Sequence, residues 1–368
     1  MRRFLLSLIV LTGIFTIGYT VGAGNYLSAS SVYVHEEIPK SPFKKADTIR
    51  LAMTGDIMMG TTYPDTALPA KGGRMLFNDV KATLRAADLA FGNLEGTLCD
   101  SGVSRKTVSK ISYAFRTPTS MSHLLKDAGY DFLSLANNHS LDFGWVGMKS
   151  TEHVLDSLGI SYAGVKGRKE WTIIEKNGLK IGVCAFGHNH YTVLHTDSAA
   201  VFRILTAVRP KVDILVVSFH GGAEGRTRSH LPYGKEMFYE ENRGNLRDFA
   251  HYCVDLGADV VFGHGPHVVR CMELYRNRLI AYSLGNFCTP KGISIAGVSG
   301  YAPILTLEVN HKGEFLQGRI VPFIQRWGIG PRVDKTGAVI RQIRLLSNED
   351  IPGNPLLIDK NGNLRKKK

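Results

Sequence analysis

Five stretches of this chain end an apolar run on residues that can bind a cation. Val260-Val261-Phe262 breaks at Gly263, and His264 and His267 follow in a Gly- and Pro-bearing segment that cannot continue a strand. LAMTGD ends in Asp56, DLAFGNLE in Asn93 and Glu95, FLSLANNH in Asn138 and His139, and DILVVSFH in His220. A divalent metal site needs deprotonated oxygen and nitrogen donors on rigid supports. Asp56, Glu95, Asn138, His220, His264 and His267 supply that mixture. Three imidazoles favour Mn, Fe or Zn over Mg. A bridging carboxylate would allow two ions about 3.5–4 Å apart. Each residue also has a bland reading: Asp56 as a turn residue, Glu95 as a cap, His220 as a polar loop residue. Their shared position at strand ends argues for one polar site.

The elements that must position these residues are buried parallel strands. Thr48–Thr54, Asp88–Phe91, Asp131–Leu135, Asp213–His220 and the run after Asp259 alternate with segments of helical pattern, near 76–87, 119–128, 146–158 and 201–208. A long helix is expected within 236–256. Leu179–Phe186 follows a turn at Asn177-Gly178 that suits a hairpin. Ala302–Val309 and Gly318–Phe323 alternate as antiparallel strands. The class is α/β, with a mixed sheet or two packed sheets. Residues 99–116 read as a basic surface loop, and the terminal RKKK as a mobile tail.

Composition narrows the partners. With 368 residues, 44% of them hydrophobic and 21% charged, the chain can bury a large core and is not a disordered polymer. A formal net charge of +13 suits an anionic partner, although it also serves plain solubility. The five cysteines contain no CxxC pair, so a zinc ribbon or thioredoxin-type motif is excluded. Arg2-Arg3 precede Phe4–Ala23, an uncharged run of about 20 residues, which is enough to span a bilayer. Val21-Gly22-Ala23 could instead be a signal-peptide cleavage site. The length favours an uncleaved anchor, with the rest of the chain outside the cytoplasm. Residues 24–47 read as a linker.

GDIMMG, FGNLEG, SLANNHSLDFG, SFHGGAEG, GHGPHV and YSLGNF, in this order over residues 48–290, resemble the CapA-type poly-γ-glutamate capsule synthesis proteins. That family is similar to the calcineurin-like metallophosphatases. The resemblance implies a four-layer α/β/β/α sandwich over 48–325, followed by a C-terminal extension with a basic tail, 326–368. It implies that Asp56 and His267 hold one ion, that Asn138, His220 and His264 hold another, and that Glu95 bridges. His139 would be the catalytic histidine beside a phosphate leaving group. Two departures are visible. Met58 stands where metallophosphatases often have histidine, and G-H-G-P-H is one residue longer than the usual G-H-x-H. One or two ions are therefore expected.

Further candidates surround this set. Asp142 could orient His139, and Glu224 could be an acid or a partner of the site. Asn93, Arg226, Arg228 and Asn286 are expected to face substrate, although Arg226 and Arg228 also suit a solvated basic face. The resemblance implies an anionic polymer such as poly-γ-glutamate, and capsule-synthesis membrane proteins, as partners; no nucleic acid is expected. Three functions compete: a metal-dependent hydrolase of capsule production, a non-catalytic polymer-binding subunit, and a phosphoesterase on an unrelated substrate.

Overall fold

A computed structural model describes residues 46–106 and 113–367. The expected segment 1–23 and residues 24–45 of the expected linker, 24–47, lie outside the described residues. Among the described residues no helix is long and apolar enough to cross a membrane.

Two sheets face each other. The larger has nine strands, in the order Leu356–Ile358, Asn363–Lys366, Phe315–Val321, Ile304–Asn310, Thr48–Ile57, Leu89–Leu94, Phe132–Ser134 and Ser161–Ala163, with Asn286–Cys288 also pairing to Thr48–Ile57. The smaller runs Met272–Tyr275, Arg278–Ala281, Val260–His264, Ile214–His220, Leu179–Phe186 and Trp171–Lys176. Their central strands are parallel; antiparallel strands flank them on both sides of the smaller sheet and on one side of the larger, whose other edge, Ser161–Ala163, is parallel. Alternation along each strand divides its side chains between two cores. Ile49, Leu51 and Met53 meet Ile181, Val183, Val216 and Phe262 between the sheets. Ala52 and Leu133 face outward onto Leu125, Met148 and Leu155 of the helices His123–Ala128 and Gly144–Leu158. Leu215, Val217 and Val261 face Val201, Leu205, Phe249 and Cys253 of the helices Ser198–Val208 and Leu246–Asp255. This is the α/β/β/α sandwich implied by the resemblance. Strands buried on both faces explain the uninterrupted apolar runs. All five cysteines are buried and free.

Four expectations are corrected. Residues 236–256 hold a hairpin, Glu236–Phe238 with Glu241–Gly244, and then a shorter helix, Leu246–Asp255. Tyr239 and Glu240 take positive φ of 44° and 68° at the hairpin turn. Gly244 follows at 88°, and the Asn245 side chain caps the helix by accepting from Asp248 N. The helix expected over 76–87 is confined to Lys81–Arg85. The 99–116 loop is not merely superficial: Arg116–Thr117 pairs with Thr97–Leu98, and Phe115 is buried. Finally, residues 326–367 are not an appended tail. The helix Ala338–Glu349 sends Val339, Ile340 and Ile343 into the core between the sheets, where Leu356, Ile358 and Leu364 join them. Asn363–Lys366 adds to the large sheet beside Phe315–Val321. Burial of these alternate apolar residues outweighs the basic composition of the last turn and strand.

One buried ion pair fixes the hairpin to the rest of the protein. Arg270 Nη1 and Nη2 each lie 2.7 Å from a different oxygen of Glu236, and Glu236 Oε2 also accepts from Ala223 N at 2.9 Å. The two parallel bonds give the pair a defined geometry. They tie the hairpin to the loop that follows His220.

Candidate metal centre

Parallel strands deliver their carboxyl ends to one edge of the sandwich, and the pairing register aligns the donors there. Asp56 lies opposite Asn93 on one side and Asn286 on the other, while His264 lies opposite His220. Glu95 follows its strand directly, and Asn137, Asn138 and His139 follow Phe132–Ser134. The chain must pass very close to itself here. A Cβ on Gly55 would stand 1.9 Å from Gly285 O, and one on Gly265 would stand 2.5 Å from Gly221 O. Only glycine fits either place. The added residue of G-H-G-P-H is absorbed by His267, which adopts a positive φ of 57°.

Asp56, Glu95 and His267 bring one donor atom each within 4.8 Å of the others. Asp56 Oδ1 is 3.3 Å from His264 Nδ1, and Asp56 Oδ2 is 3.2 Å from His267 Nδ1. Glu95 Oε1 is 3.6 Å from His267 Nε2 and 3.9 Å from His220 Nε2. Asp56, Glu95, His220 and His264 are fully buried. Yet Asp56 Oδ2, both Glu95 oxygens, Asn138 Oδ1, His220 Nε2 and both His264 ring nitrogens have no hydrogen-bond partner among the described residues. Buried polar atoms are normally bonded. So many unpartnered acceptors and imidazole nitrogens converging on one point fit a divalent cation, which would satisfy them together.

The electrostatics agree. Burial favours protonation of Glu95, and the neighbouring Asp56 charge adds to it, holding the Glu95 carboxyl well above the usual range. Burial acts in the same direction on Asp56, but the His264 and His267 imidazoles outweigh it and keep Asp56 ionised. Burial pushes His220 well below its ordinary value, which keeps the imidazole neutral, the form that ligates. His267 is raised, because Glu95, Asp56 and Glu224 outweigh its burial. Two buried carboxylates side by side repel, and a cation between them removes that penalty.

His139 stands at the rim in a different role. Its Nδ1 lies 2.8 Å from Asp142 Oδ2, so the ring donates there and leaves Nε2 for the cleft that His139 lines. Asp142 also accepts from Phe115 N at 2.7 Å and pairs with Lys106 Nζ at 2.8 Å. Phe115 packs its ring 4.4 Å from the imidazole. Burial lowers the His139 pKa, and Asp142 offsets only part of that.

The cleft has a volume of about 470 Å³, and its lining includes Lys106, Asn138, His139, Glu224, Tyr239 and Arg243. Two expected substrate contacts are corrected. Asn93 is fully buried: its Nδ2 donates to Asp56 Oδ1 at 2.8 Å, and its Oδ1 accepts from Asn137 at 2.9 Å. Asn286 is also fully buried, with Oδ1 3.0 Å from His267 Nδ1. Both are bonded to candidate metal donors, Asp56 and His267, and hold those side chains in place. Arg226 and Arg228 are exposed and do not line the cleft, so the solvated basic face describes them better. Among the described residues the cations lining the cleft are Lys106 and Arg243. Arg243 bridges Glu224 and Glu241 at 2.8 Å each. Its signal was hidden inside the segment read as a helix, and that of Lys106 inside a basic loop.

Residues 50–291 match the family described as "Bacterial capsule synthesis protein PGA_cap". The chain is 29% identical over 271 residues to the PGA biosynthesis protein CapA of Bacillus subtilis (strain 168), covering 70% of this chain and 67% of that one. It is 27% identical over 288 residues to the capsule biosynthesis protein CapA of Bacillus anthracis, covering 72% and 66%. The chain thus spans about two thirds of the length of these relatives. A hypothetical protein from Thermus thermophilus, known by crystal structure, aligns with a TM-score of 0.46 at 19% identity over 75% of this chain and 98% of that one. Because the family match runs through every strand end that carries a donor, from Asp56 to His267, the chain belongs to the PGA_cap family of bacterial capsule synthesis proteins.

Proposed function

We propose that the chain is a metal-dependent hydrolase acting on an anionic ester or amide group in the making or export of a capsule polymer, outside the cytoplasm. The observation that carries this reading is the set of unpartnered buried donors beneath a cleft edged by an oriented histidine. Asp56, Glu95, Asn138, His220, His264 and His267 are the residues that would hold Mn, Fe or Zn. A divalent ion there supplies a Lewis acid for the anionic group and for an attacking water. The chain's own residues do the rest. Asn93 and Asn286 fix the ligand side chains. Asp142 holds the His139 ring through Nδ1–H, so that the Nε2 lone pair facing the cleft can take a proton from the attacking water and pass it to the departing atom. Lys106 places a positive charge at the rim. The relatives are named for capsule and PGA biosynthesis, which suggests a polyglutamate-type polymer as the anion. The test is a panel of phosphoesters and γ-glutamyl polymer presented to purified protein with Mn²⁺ or Zn²⁺. Metal-dependent turnover of at least one is expected. Salt-sensitive binding of the polymer without turnover, in metal-loaded protein, would replace this reading with a polymer-binding subunit; the net charge of +13 favours that alternative.

The extracytoplasmic placement rests on Arg2-Arg3 and the Phe4–Ala23 run. A reporter fused after Lys368 that is active only when exported should give signal. A reporter active only in the cytoplasm giving strong signal at the same position would reverse the assignment.

A further inference from the structure

An ion beside Asp56 would find no further donor on that strand. Ile57, Met58 and Met59, the residues that follow Asp56, are all apolar and buried. A carboxylate from a distant loop reaches the same place. Glu224, in the loop after the Ile214–His220 strand, holds Arg243 Nη1 at 2.8 Å through Oε1. Its other oxygen, Oε2, lies 3.7 Å from His267 Nε2. Glu95 Oε1 lies 3.6 Å from that same nitrogen.

Hydrogen-bond chemistry shows what that nitrogen presents. Asn286 Nδ2 faces three carbonyls, those of His267, Ser294 and Ser299, at 3.2–3.3 Å. Carbonyls only accept, so the amide nitrogen must point at them, and Asn286 Oδ1 must be the atom facing His267 Nδ1 at 3.0 Å. An amide oxygen also only accepts, so Nδ1 carries the ring hydrogen. Nε2 is then the ring atom turned to the site, and it faces two carboxylate oxygens, Glu95 Oε1 and Glu224 Oε2. Two carboxylates and an imidazole nitrogen gathered around one point form a donor set for a divalent cation, and both Glu95 oxygens are buried without a partner among the described residues.

We infer that Glu224 is a direct ligand of the ion beside Asp56, completing a set with Asp56, Glu95 and His267, and that Arg243 is the positioning residue that holds it there. The inference rests on the metal reading of the site. Glu224 would contribute Oε2, while Arg243 holds Oε1 and fixes the side chain in the cleft wall. The hairpin supports Arg243 and is itself anchored by the Glu236–Arg270 pair. Glu241 shares Arg243, but its side chain is half exposed, whereas that of Glu224 is mostly buried.

The experiment is Mn²⁺ titration of metal-stripped full-length protein by calorimetry, with metal content measured after desalting and the visible spectrum recorded with Co²⁺. Partners that merely orient a ligand typically cost about 10–100-fold in affinity when lost. Glu224→Gln should therefore lose more than about 100-fold at one ion and alter the Co²⁺ spectrum. Arg243→Lys should lose about 10-fold. Glu241→Gln should match the wild type in both readouts. Glu224→Asp, which keeps the carboxylate but shortens its reach, should fall between wild type and Glu224→Gln. Equal melting of the metal-free wild type and Glu224→Gln shows that the variant folds. Wild-type affinity and stoichiometry in Glu224→Gln would overturn the ligand assignment alone, as would a loss no greater than that of Arg243→Lys. A wild-type protein that takes up no Mn²⁺ would instead overturn the metal reading, and this inference with it.

Discussion

Glu95→Gln should raise the thermal midpoint of the metal-free protein and abolish most of its stabilisation by Mn²⁺ or Zn²⁺. The two effects have opposite signs and one origin. Glu95 and Asp56 are both fully buried, and neither Glu95 oxygen has a partner among the described residues. Without a cation this is a carboxylate pair in a poorly solvating place. Burial and the Asp56 charge raise the folded-state pKa of Glu95 above its usual value of about 4.5. The native state therefore binds that proton more tightly than the unfolded chain does. Metal-free stability should fall as pH rises above about 4.5 toward the raised pKa, because the unfolded state gives up its proton first. Gln has the same size without the charge, so the slope from this group disappears and the neutral-pH midpoint rises. With metal present the sign reverses. A ligand at about 100 times its dissociation constant stabilises the native state by about 2.7 kcal/mol. Removal of a carboxylate that both ions could share should erase most of that. Differential scanning fluorimetry from pH 4 to 8, with and without Mn²⁺, reads both halves. A metal-free midpoint that drops in the variant would show that Glu95 is satisfied in some other way.

His139→Ala should retain the metal and lose most turnover, by about 10²–10⁴-fold, the usual contribution of a positioned acid–base group. The separation of the two effects follows from the geometry. Nδ1 is committed to Asp142 at 2.8 Å, and the ring packs on Phe115, so His139 is held at the rim and stands outside the Asp56–Glu95–His267 cluster. Metal content by elemental analysis should match the wild type, while kcat on any substrate turned over by the panel should fall. Asp142→Asn offers the companion variant, since the amide can no longer fix the same tautomer. Wild-type kcat in His139→Ala would remove the histidine from the chemistry and shift the weight to the polymer-binding alternative, in which Lys106 and the surrounding positive charge act on a polyanion.

Much of the site's location could be read from residue order, for a physical reason. Parallel strands buried on both faces must be apolar throughout, so each shows as a run that stops where its end reaches solvent or a site. Asp56, Glu95, Asn138, His220 and His264 stand at or just past such stops. All parallel strands of one sheet end on the same side, so a list of strand ends is already a list of neighbours. The same logic fails for residues whose partners come from elsewhere in the chain. Asn93 and Asn286 looked like cleft residues, because position in a run cannot reveal that register sets them on either side of Asp56 and spends their amides on ligands. Lys106 and Arg243 sit in a loop and a hairpin with no periodic pattern, and only tertiary contact brings them to His139 and Glu224. The hairpin around Tyr239 was concealed in a helix-like composition, because its turn depends on two positive φ angles at residues that do not advertise them. The C-terminal segment looked expendable by charge, yet Ile343 and Leu364 are buried in the core between the sheets. Local pattern thus decided which atoms could bind a cation and on which edge they gather. Long-range packing decided which of these atoms converge, which side chains orient them, and which distant residues reach the same place, because those relations depend on distances between residues far apart in the chain.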